Sequence, residues 1–569
     1  MPQQRVAGAR RFFDRLLSRV SLRKDVPAGV VLGVESVPDG LAGGLLAGVN
    51  PVYGLYGYMF GTLFGALFTS SAFMAVQATG AMAVVISDVP QVQGGSPESE
   101  AALFTLTVLT GVVMLGLGVS RMGWIIRWVP NAVLTGFVNA VAITIVLGQL
   151  DNLTGYESVG ENRVLRALDT ILNVGSWLWP AVAVGVVTIV LIVLLERTPL
   201  GALGMVVAIA VGSTLVHVFD LSVARLSDTT EIPSSLPAVA FPSLGLLVSL
   251  LVPAVSLAFV GLVQGAAISS TIPNPDGRYP DPSGDFRGQG IANIGAGLLQ
   301  GMPVGGSMSA TSIVTTAGAR SRLALIVAAL TMIFVVLAFS DLVGAIAMPA
   351  LAGLLIVVGF RAIDTHKVVM VARTGAVQAT VMGTTFVLTL IIPLQYAVLV
   401  GVGMSVVLYV VRQSNRVRIQ QWTVGQGGAI YEQPPPSEVG PHEILILRPY
   451  GSLFFAAAAG FEAALPEVTP RSRGSAVIIS LRGKEDLGST FINVVKRYAE
   501  ALRARSSQLM ISGASPRVVH QLEVTGTITT IGADHVYPAT SVVTESTLHA
   551  LHDAQAWASS PEDDRDTPG

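Results

Sequence analysis

From Asp25 to Val411 the chain is a succession of apolar runs separated by short polar breaks, and from Arg412 onward it turns to short mixed segments. A helix needs about 20 apolar residues to cross a bilayer. Runs of that order lie at 26–48, 52–69, 73–89, 101–119, 131–149, 176–195, 198–219, 243–270, 290–316, 322–340, 343–360, 376–392 and 394–411. The run at 290–316 is broken by Gly301, Pro303, Gly305 and Gly306 and divides in two, giving about fourteen segments. The pattern predicts a polytopic α-helical membrane domain over 26–411 in contact with a lipid bilayer.

Composition narrows the function. Charged residues make up 12% of the chain and hydrophobic ones 51%, against about 25% charge in a soluble protein. The net charge of −2 speaks against a nucleic-acid partner. The absence of Cys removes disulfides, thiolate metal sites and cysteine nucleophiles, and the seven His are scattered. With no nucleophile–base pair apparent, neither an enzyme nor a cofactor is expected.

Basic residues orient the segments. Arg121 and Arg127, Arg197, Arg278 and Arg287, Arg320 and Arg322, then Arg361, Lys367 and Arg373 fall in alternate loops, whereas residues 90–100, 341–343 and 393–395 carry no Lys or Arg. Both termini are therefore expected on the cytoplasmic side of the plasma membrane. Residues 1–25 carry seven basic side chains, with Phe12, Phe13, Leu16, Leu17 and Val20 at helical spacing. They read either as an amphipathic surface helix or as a basic flank of the first span.

Two segments are interrupted. One runs from Phe73 through Gln77, Thr79, Gly80 and Ala81 to Met82; the other runs from Gln300 through Pro303, Gly305, Gly306, Ser307 and Met308 to Ser309. They are the third and tenth of fourteen, matching places in two halves of seven, which is where transporters build binding sites. A broken helix inside a bilayer must line protein or a wet cavity. Each half-helix start offers free N–H groups and about half a positive charge. Gly80, Gly305 and Gly306 would admit a ligand close to the backbone, or serve tight helix packing.

The first segment holds Glu35 and Asp39, four residues apart on one helical face unless Pro38 distorts it. Carboxyls at bilayer depth cost roughly 2.5–3.5 kcal/mol on insertion scales, so they usually face a cavity. Asp39 is the first candidate for proton coupling or substrate contact and Glu35 the second; the competing reading is a hydrogen bond between helices. Gln264, the strong polar residue of the eighth segment, either lines the cavity or bonds a neighbouring helix.

These motifs resemble the SulP family of sulfate permease-like anion transporters. Val37-Pro38-Asp39-Gly40-Leu41-Ala42 with Gly48 to Gly57 is similar to its first-span signature, and Gly301 to Thr311 followed by Ala317 to Arg320 to its second; Gly288 to Asn293 also fits. The resemblance implies a seven-plus-seven inverted repeat with core and gate domains, shared with uracil permeases, and an elevator-like movement of the core. It places the anion on Asp39, Thr79, Gly80, Ala81, Gly306, Ser307 and Met308. Where many members carry Arg after the Ser at Ser309, this chain has Ala310. Where sodium-coupled bicarbonate members carry Asp and Thr, it has Gln264 and Ile268, which argues against that coupling. A homodimer is implied by the family.

Residues 412–440 read as a linker, basic, then Gly-rich, then Pro434-Pro435-Pro436. Over 441–556, strand-like runs at 444–447, 476–481 and 508–512 alternate with helix-like runs at 456–468 and 489–505. This α/β region resembles the STAS domain, which implies a cytoplasmic regulator as partner. Leu453-Phe454-Phe455 and Leu487-Gly488-Ser489-Thr490 fit its pattern, with Gly488 where the family often has Asp. Ser489 is expected to cap the following helix. Residues 557–569 are polar and acidic and expected to be disordered. The expected function is secondary transport of a small anion, of the sulfate, bicarbonate or dicarboxylate class, coupled to protons. A nucleobase–proton symporter of the same fold and a non-transporting receptor signalling through the tail are the alternatives.

Overall fold

The computed structural model describes residues 21–559 except 124–129, 161, 231, 233, 393–395, 398–399, 402, 405, 409, 411–416, 426–428, 452 and 454–456. The N-terminal basic segment up to residue 20, the Leu453-Phe454-Phe455 motif beyond its first residue and the tail from 560 lie outside that set. The chain forms two compact units, Met1–Ser405 and Val406–Gly569.

The first unit is helical. Its first half holds α1 (Leu22–Leu46), α2 (Pro51–Phe68), the short strand β1 (Ala75–Gln77) leading into α3 (Gly80–Ser87), α4 (Pro97–Val119), α5 (Asn131–Gly148), the short α6 (Arg163–Leu172), α7 (Trp179–Leu195) and α8 (Leu203–Val218). The second half holds α9 (Leu247–Thr271), α10 (Pro282–Leu298), β2 (Gly305–Ser307) leading into α11 (Met308–Thr316), α12 (Leu323–Ala338), α13 (Met348–Ala362) and α14 (Ala376–Ile391). The fourteenth segment falls on 394–411, which is described only in part. The strand-then-helix units β1–α3 and β2–α11 occupy equivalent third places in the two halves of an inverted repeat.

Packing separates two bundles. α1 lies against α2 and α12, and α10 against α4 and α2, with both strands enclosed among them; α5 packs on α13 and α14, and α7 on α8 and α13. The outside is apolar where a soluble protein would be polar. On α12, Leu330, Phe334 and Leu337 form an exposed stripe at i, i+4 and i+7, the spacing of one helical face. Pro38 sits inside α1 without ending it; it withholds one backbone donor from the preceding turn.

The second unit is a six-stranded sheet in the order β4-β3-β5-β6-β7-β8, built from β3 (Arg418–Val424), β4 (Ile430–Gln433), β5 (Ile444–Tyr450), β6 (Ala476–Ser480), β7 (Gln508–Ala514) and β8 (Val536–Pro538). The strands β5 to β8 are parallel and β3 is antiparallel to β5. Helices α15 (Ala458–Ala464), α16 (Ser489–Arg503) and α17 (Pro516–Val524) cover one face, and α18 (Glu545–Ala558) the other. Alternation puts Leu445 and Leu447 on the first face and Ile446 on the second, so these strands are apolar throughout, as a doubly covered sheet requires. Two expectations need correction. The stretch 412–440, read as a linker, contains the β3–β4 hairpin, which extends the sheet; Gly425 N–H bonds to the Ala429 carbonyl at 2.8 Å where the two strands close. Ser489 is the first residue of α16, and Gly488 holds the cap position.

Candidate functional site: two half-helix starts

Each interrupted segment begins extended because its sequence resists helix. In the second, Gln300 takes a positive φ of 59°, and Pro303 disfavours helix at the residue before it. Met302 N–H then bonds to the Tyr53 carbonyl of α2 at 3.0 Å. The two extended pieces pair antiparallel: Ala75 opposite Ser307, Val76 opposite Gly306 and Gln77 opposite Gly305. Antiparallel pairing sends α3 and α11 away in opposite directions, so their N-termini look toward one another across the strand pair. Thr79 lies four residues beyond the rung of Ser307, at most about 13 Å along the strand.

Both starts are capped by hydroxyls. Thr79 Oγ1 accepts from Met82 N–H at 3.3 Å, and Ser307 Oγ accepts from Ala310 N–H at 3.4 Å. The caps leave the N–H groups of Gly80 and Ala81, and of Met308 and Ser309, without a protein partner among the described residues. The α11 end is the more accessible, since Ala81 at the α3 end is buried. Met308 is 45% exposed, Ser309 is exposed, and Thr79 and Gly80 are half-buried. Four unspent donors at two positive dipole ends make a site for negative charge that needs no fixed cation.

α9 closes one side. Gln264 Oε1 accepts the Thr79 hydroxyl proton at 2.8 Å. A Cβ on Gly305 would stand 2.7 Å from Gly261 Cα, and one on Gly306 2.7 Å from Gly265 Cα. Backbone meets backbone there, so these two glycines answer to close packing of β2 on α9. At Gly80 a Cβ would meet the Ile145 side-chain end at 2.6 Å.

Asp39 and Glu35 stand on α1. Asp39 Oδ2 accepts from the Tyr58 hydroxyl of α2 at 2.7 Å, and Glu35 is buried one turn earlier. Between them Ser36 accepts from Gln77 Nε2 at 3.0 Å, which fastens α1 to β1. The structure thus gathers Thr79, Gly80, Ala81, Gln264, Gly306, Ser307 and Met308 around the strand pair. It sets the two carboxyls on the neighbouring helix. Tyr58 and Ser36 were not singled out from sequence, and Gln77 was named only as part of the interrupted run. Gln77, a lone amide within the apolar run 73–78, was a usable signal; Tyr58 in an aromatic-rich helix was not. Ala310, where many members carry Arg, is buried with Leu32 and Ala75 in an apolar cluster.

A cavity of about 520 Å³ opens at the other end of α3, lined by Ser87, Asp88, Gln149, Asp151, Arg163 and Arg166 among others. These polar residues lie at the far end of the eight-residue α3, about 12 Å along the helix from the free N–H groups, while the apolar wall of the cavity includes Leu46, whose side chain lies 3.9 Å from where a Gly80 Cβ would stand. Its two arginines are matched by carboxylates: Arg163 lies 3.4 Å from Asp88, and Arg166 2.6 Å from Asp151. Each arginine there is thus paired with a carboxylate, in contrast to the uncompensated dipole ends of α3 and α11.

Two half-helices meeting head to head within an inverted-repeat bundle define a membrane-transporter fold. Residues 22–385 match the Sulfate permease family and residues 436–541 the STAS domain. The chain belongs to the sulfate permease family and is an integral, multi-pass membrane protein. It is 30% identical over 401 residues to the putative sulfate transporter YbaR of Bacillus subtilis, covering 69% of this chain and 78% of that one. The murine Solute Carrier 26 family member A9 anion transporter, solved in the inward-facing state, superposes with a TM-score of 0.82 at 18% identity, over 96% of this chain and 94% of that one. The transmembrane domain of the cyanobacterial bicarbonate transporter BicA superposes with a TM-score of 0.59 at 23% identity, over 69% and 99%.

Proposed function

We propose that this protein is a secondary active carrier of a small inorganic anion or carboxylate, coupled to protons, and that the anion sits between the starts of α3 and α11. The observation that carries the reading is the β1–β2 pairing, which leaves the N–H groups of Gly80, Ala81, Met308 and Ser309 unspent at two facing dipole ends. Such donors replace the hydration of an anion and repel a cation. The names of the similar proteins, sulfate and bicarbonate transporters, agree with that charge preference. In this reading Thr79, Gln264 and Ser307 line the anion, and Asp39 carries the coupled proton with Tyr58 as its hydrogen-bond donor. Glu35 is the second choice for that role. The bundle holding both strands moves as an elevator against the bundle of α5, α7, α8, α13 and α14. The protein works in the cytoplasmic membrane with both termini inside, as a homodimer, and its STAS domain receives a cytoplasmic regulator.

The test is uptake by proteoliposomes of the full chain, with labelled sulfate, bicarbonate, chloride, nitrate and a dicarboxylate, each with and without an inward proton gradient. Saturable flux of at least one anion, enhanced by the gradient, is the expected result. Flux no greater than in empty vesicles for every anion overturns the transport reading; flux indifferent to the gradient removes only the proton coupling.

A further inference from the structure

The helix behind the strands carries a polar stripe with no other evident purpose. On α10, Asp285, Gln289 and Asn293 follow one another at i, i+4 and i+8, on one face, and all three are fully buried. Gln289 and Asn293 bond the backbone of the second interrupted segment, and Asp285 the chain just ahead of the first together with the Ser269 hydroxyl of α9. Asp285 Oδ1 accepts from Ser70 N–H at 2.8 Å and Ser71 N–H at 2.9 Å, just ahead of β1. Gln289 Oε1 accepts from Gly306 N–H at 3.0 Å. Asn293 grips Val304 twice, donating to its carbonyl at 2.7 Å and accepting from its N–H at 2.9 Å.

Successive residues of a strand turn their N–H and C=O groups to alternate edges. β2 has β1 on one edge, so Val304 and Gly306 present theirs to α10, where two amide side chains stand in for a third strand. The Gly306 peptide is one residue before Ser307, the cap of α11. Its orientation therefore fixes where the free N–H groups of Met308 and Ser309 point.

Stability alone does not account for Gln289. Its Nε2 is buried with no partner among the described residues, and it lies where a Cβ on Gly265 would come within 2.3 Å. An unpaired buried amide hydrogen is unfavourable, and an apolar side chain of similar length would fill the space without it. We infer that Gln289 and Asn293 are positioning residues for anion transport, holding the peptide plane of Gly306 and the strand before it so that the α11 start faces the substrate. This rests on the reading of the half-helix starts as the anion site.

The test compares Gln289→Met, Gln289→Glu, Gln289→Ala, Gly265→Ala and the Gln289→Ala/Gly265→Ala pair with the unsubstituted full chain in proteoliposomes. The probe is radiolabelled sulfate, or radiolabelled bicarbonate if sulfate gives no flux, and detergent-solubilised samples are melted in parallel. Gln289→Met removes the acceptor, and KM should rise about tenfold with maximal flux changed less than about threefold. Gln289→Glu keeps the acceptor but sets a negative charge beside the site. Its KM should rise by at least about tenfold at pH 8 and return toward the starting value as acidification protonates the new carboxyl. Gly265→Ala pushes the amide aside and should reproduce the Gln289→Met phenotype, whereas adding Gly265→Ala to Gln289→Ala, where the space is free, should raise KM no further. Unchanged KM in Gln289→Met, or a Gln289→Glu profile parallel to the unsubstituted one, overturns the assignment. If neither Gln289→Met nor Gln289→Glu folds, an unchanged KM in Gly265→Ala overturns it and a raised one upholds it. If neither is carried, the labelled anion of the panel above that gives flux takes their place, and no flux of any anion in that panel by the unsubstituted chain removes the site reading and the assignment with it.

Discussion

Thr79 gives its hydroxyl proton to Gln264 Oε1 at 2.8 Å while the same oxygen caps α3 by accepting from Met82 N–H. One hydroxyl thus joins the half-helix start to α9 and turns the Gln264 carbonyl away from any anion in the site. Thr79→Val removes both bonds. Loss of the cap costs about 1 kcal/mol, and the freed Gln264 carbonyl can turn toward the substrate. Melting in detergent should fall modestly and KM for anion uptake should rise about tenfold, an effect of about 1.4 kcal/mol. Thr79→Ser, which keeps the hydroxyl, should stay within about twofold of the unsubstituted chain.

Gly305 tests the packing account. A Cβ there would stand 2.7 Å from Gly261 Cα and 2.9 Å from the Met82 sulfur, so backbone must shift. Overpacking of this kind costs about 1–3 kcal/mol. Gly305→Ala should therefore melt well below the unsubstituted protein and lose uptake. Gly116 of α4 meets nothing within 4 Å, and Gly116→Ala should melt within about 1 kcal/mol of it in either direction.

Asp39 and Tyr58 bear on coupling. If Asp39 carries the proton, Asp39→Asn should abolish the stimulation of uptake by an inward proton gradient while leaving exchange of labelled for unlabelled anion measurable. Tyr58→Phe removes the hydroxyl that donates to that carboxyl and should displace the pH profile of uptake without abolishing it. Gradient stimulation that survives Asp39→Asn would point the role to Glu35.

In the second unit, Tyr537 on β8 donates to Asp553 Oδ2 on α18 at 2.8 Å. That bond, chiefly, holds the Asp553 carboxyl below its usual range. A lowered pKa in the folded state means stability present above the unfolded value and lost as pH falls through the folded one. Solvent screens this exposed pair, so Asp553→Asn should cost no more than about 0.5 kcal/mol at neutral pH. The difference should vanish in acid. Hydrogen exchange at β8 and α18 in the full chain, compared at pH 7 and pH 3, measures it.

The elements legible in the sequence are those written in local chemistry. Apolar runs separated by arginine-bearing loops marked the spans. Pro303 with its flanking glycines marked the break in the tenth, and Thr79 and Ser307 stood out as hydroxyls at the breaks, their capping role appearing only in the structure. The same approach failed at 412–440, where Gly and Pro suggested a linker. The β3 residues Gln420, Gln421 and Trp422 find their reason for extended structure in β5, more than twenty residues away, and no window that short contains it.

Residue types and their order along the chain therefore determined that this protein spans a membrane, that two of its segments break in matching places, and that a mixed α/β unit follows. Helix length, interruption and capping depend on neighbours a few residues apart. What the tertiary structure decided is which backbone groups remain unspent. Ala75 meets Ser307 across 232 residues of chain, Asp39 is matched to Tyr58 on another helix, and the amides of α10 take up the far edge of β2. A hydrogen bond is satisfied by whatever lies within about 3 Å in space, and sequence alone does not record that distance.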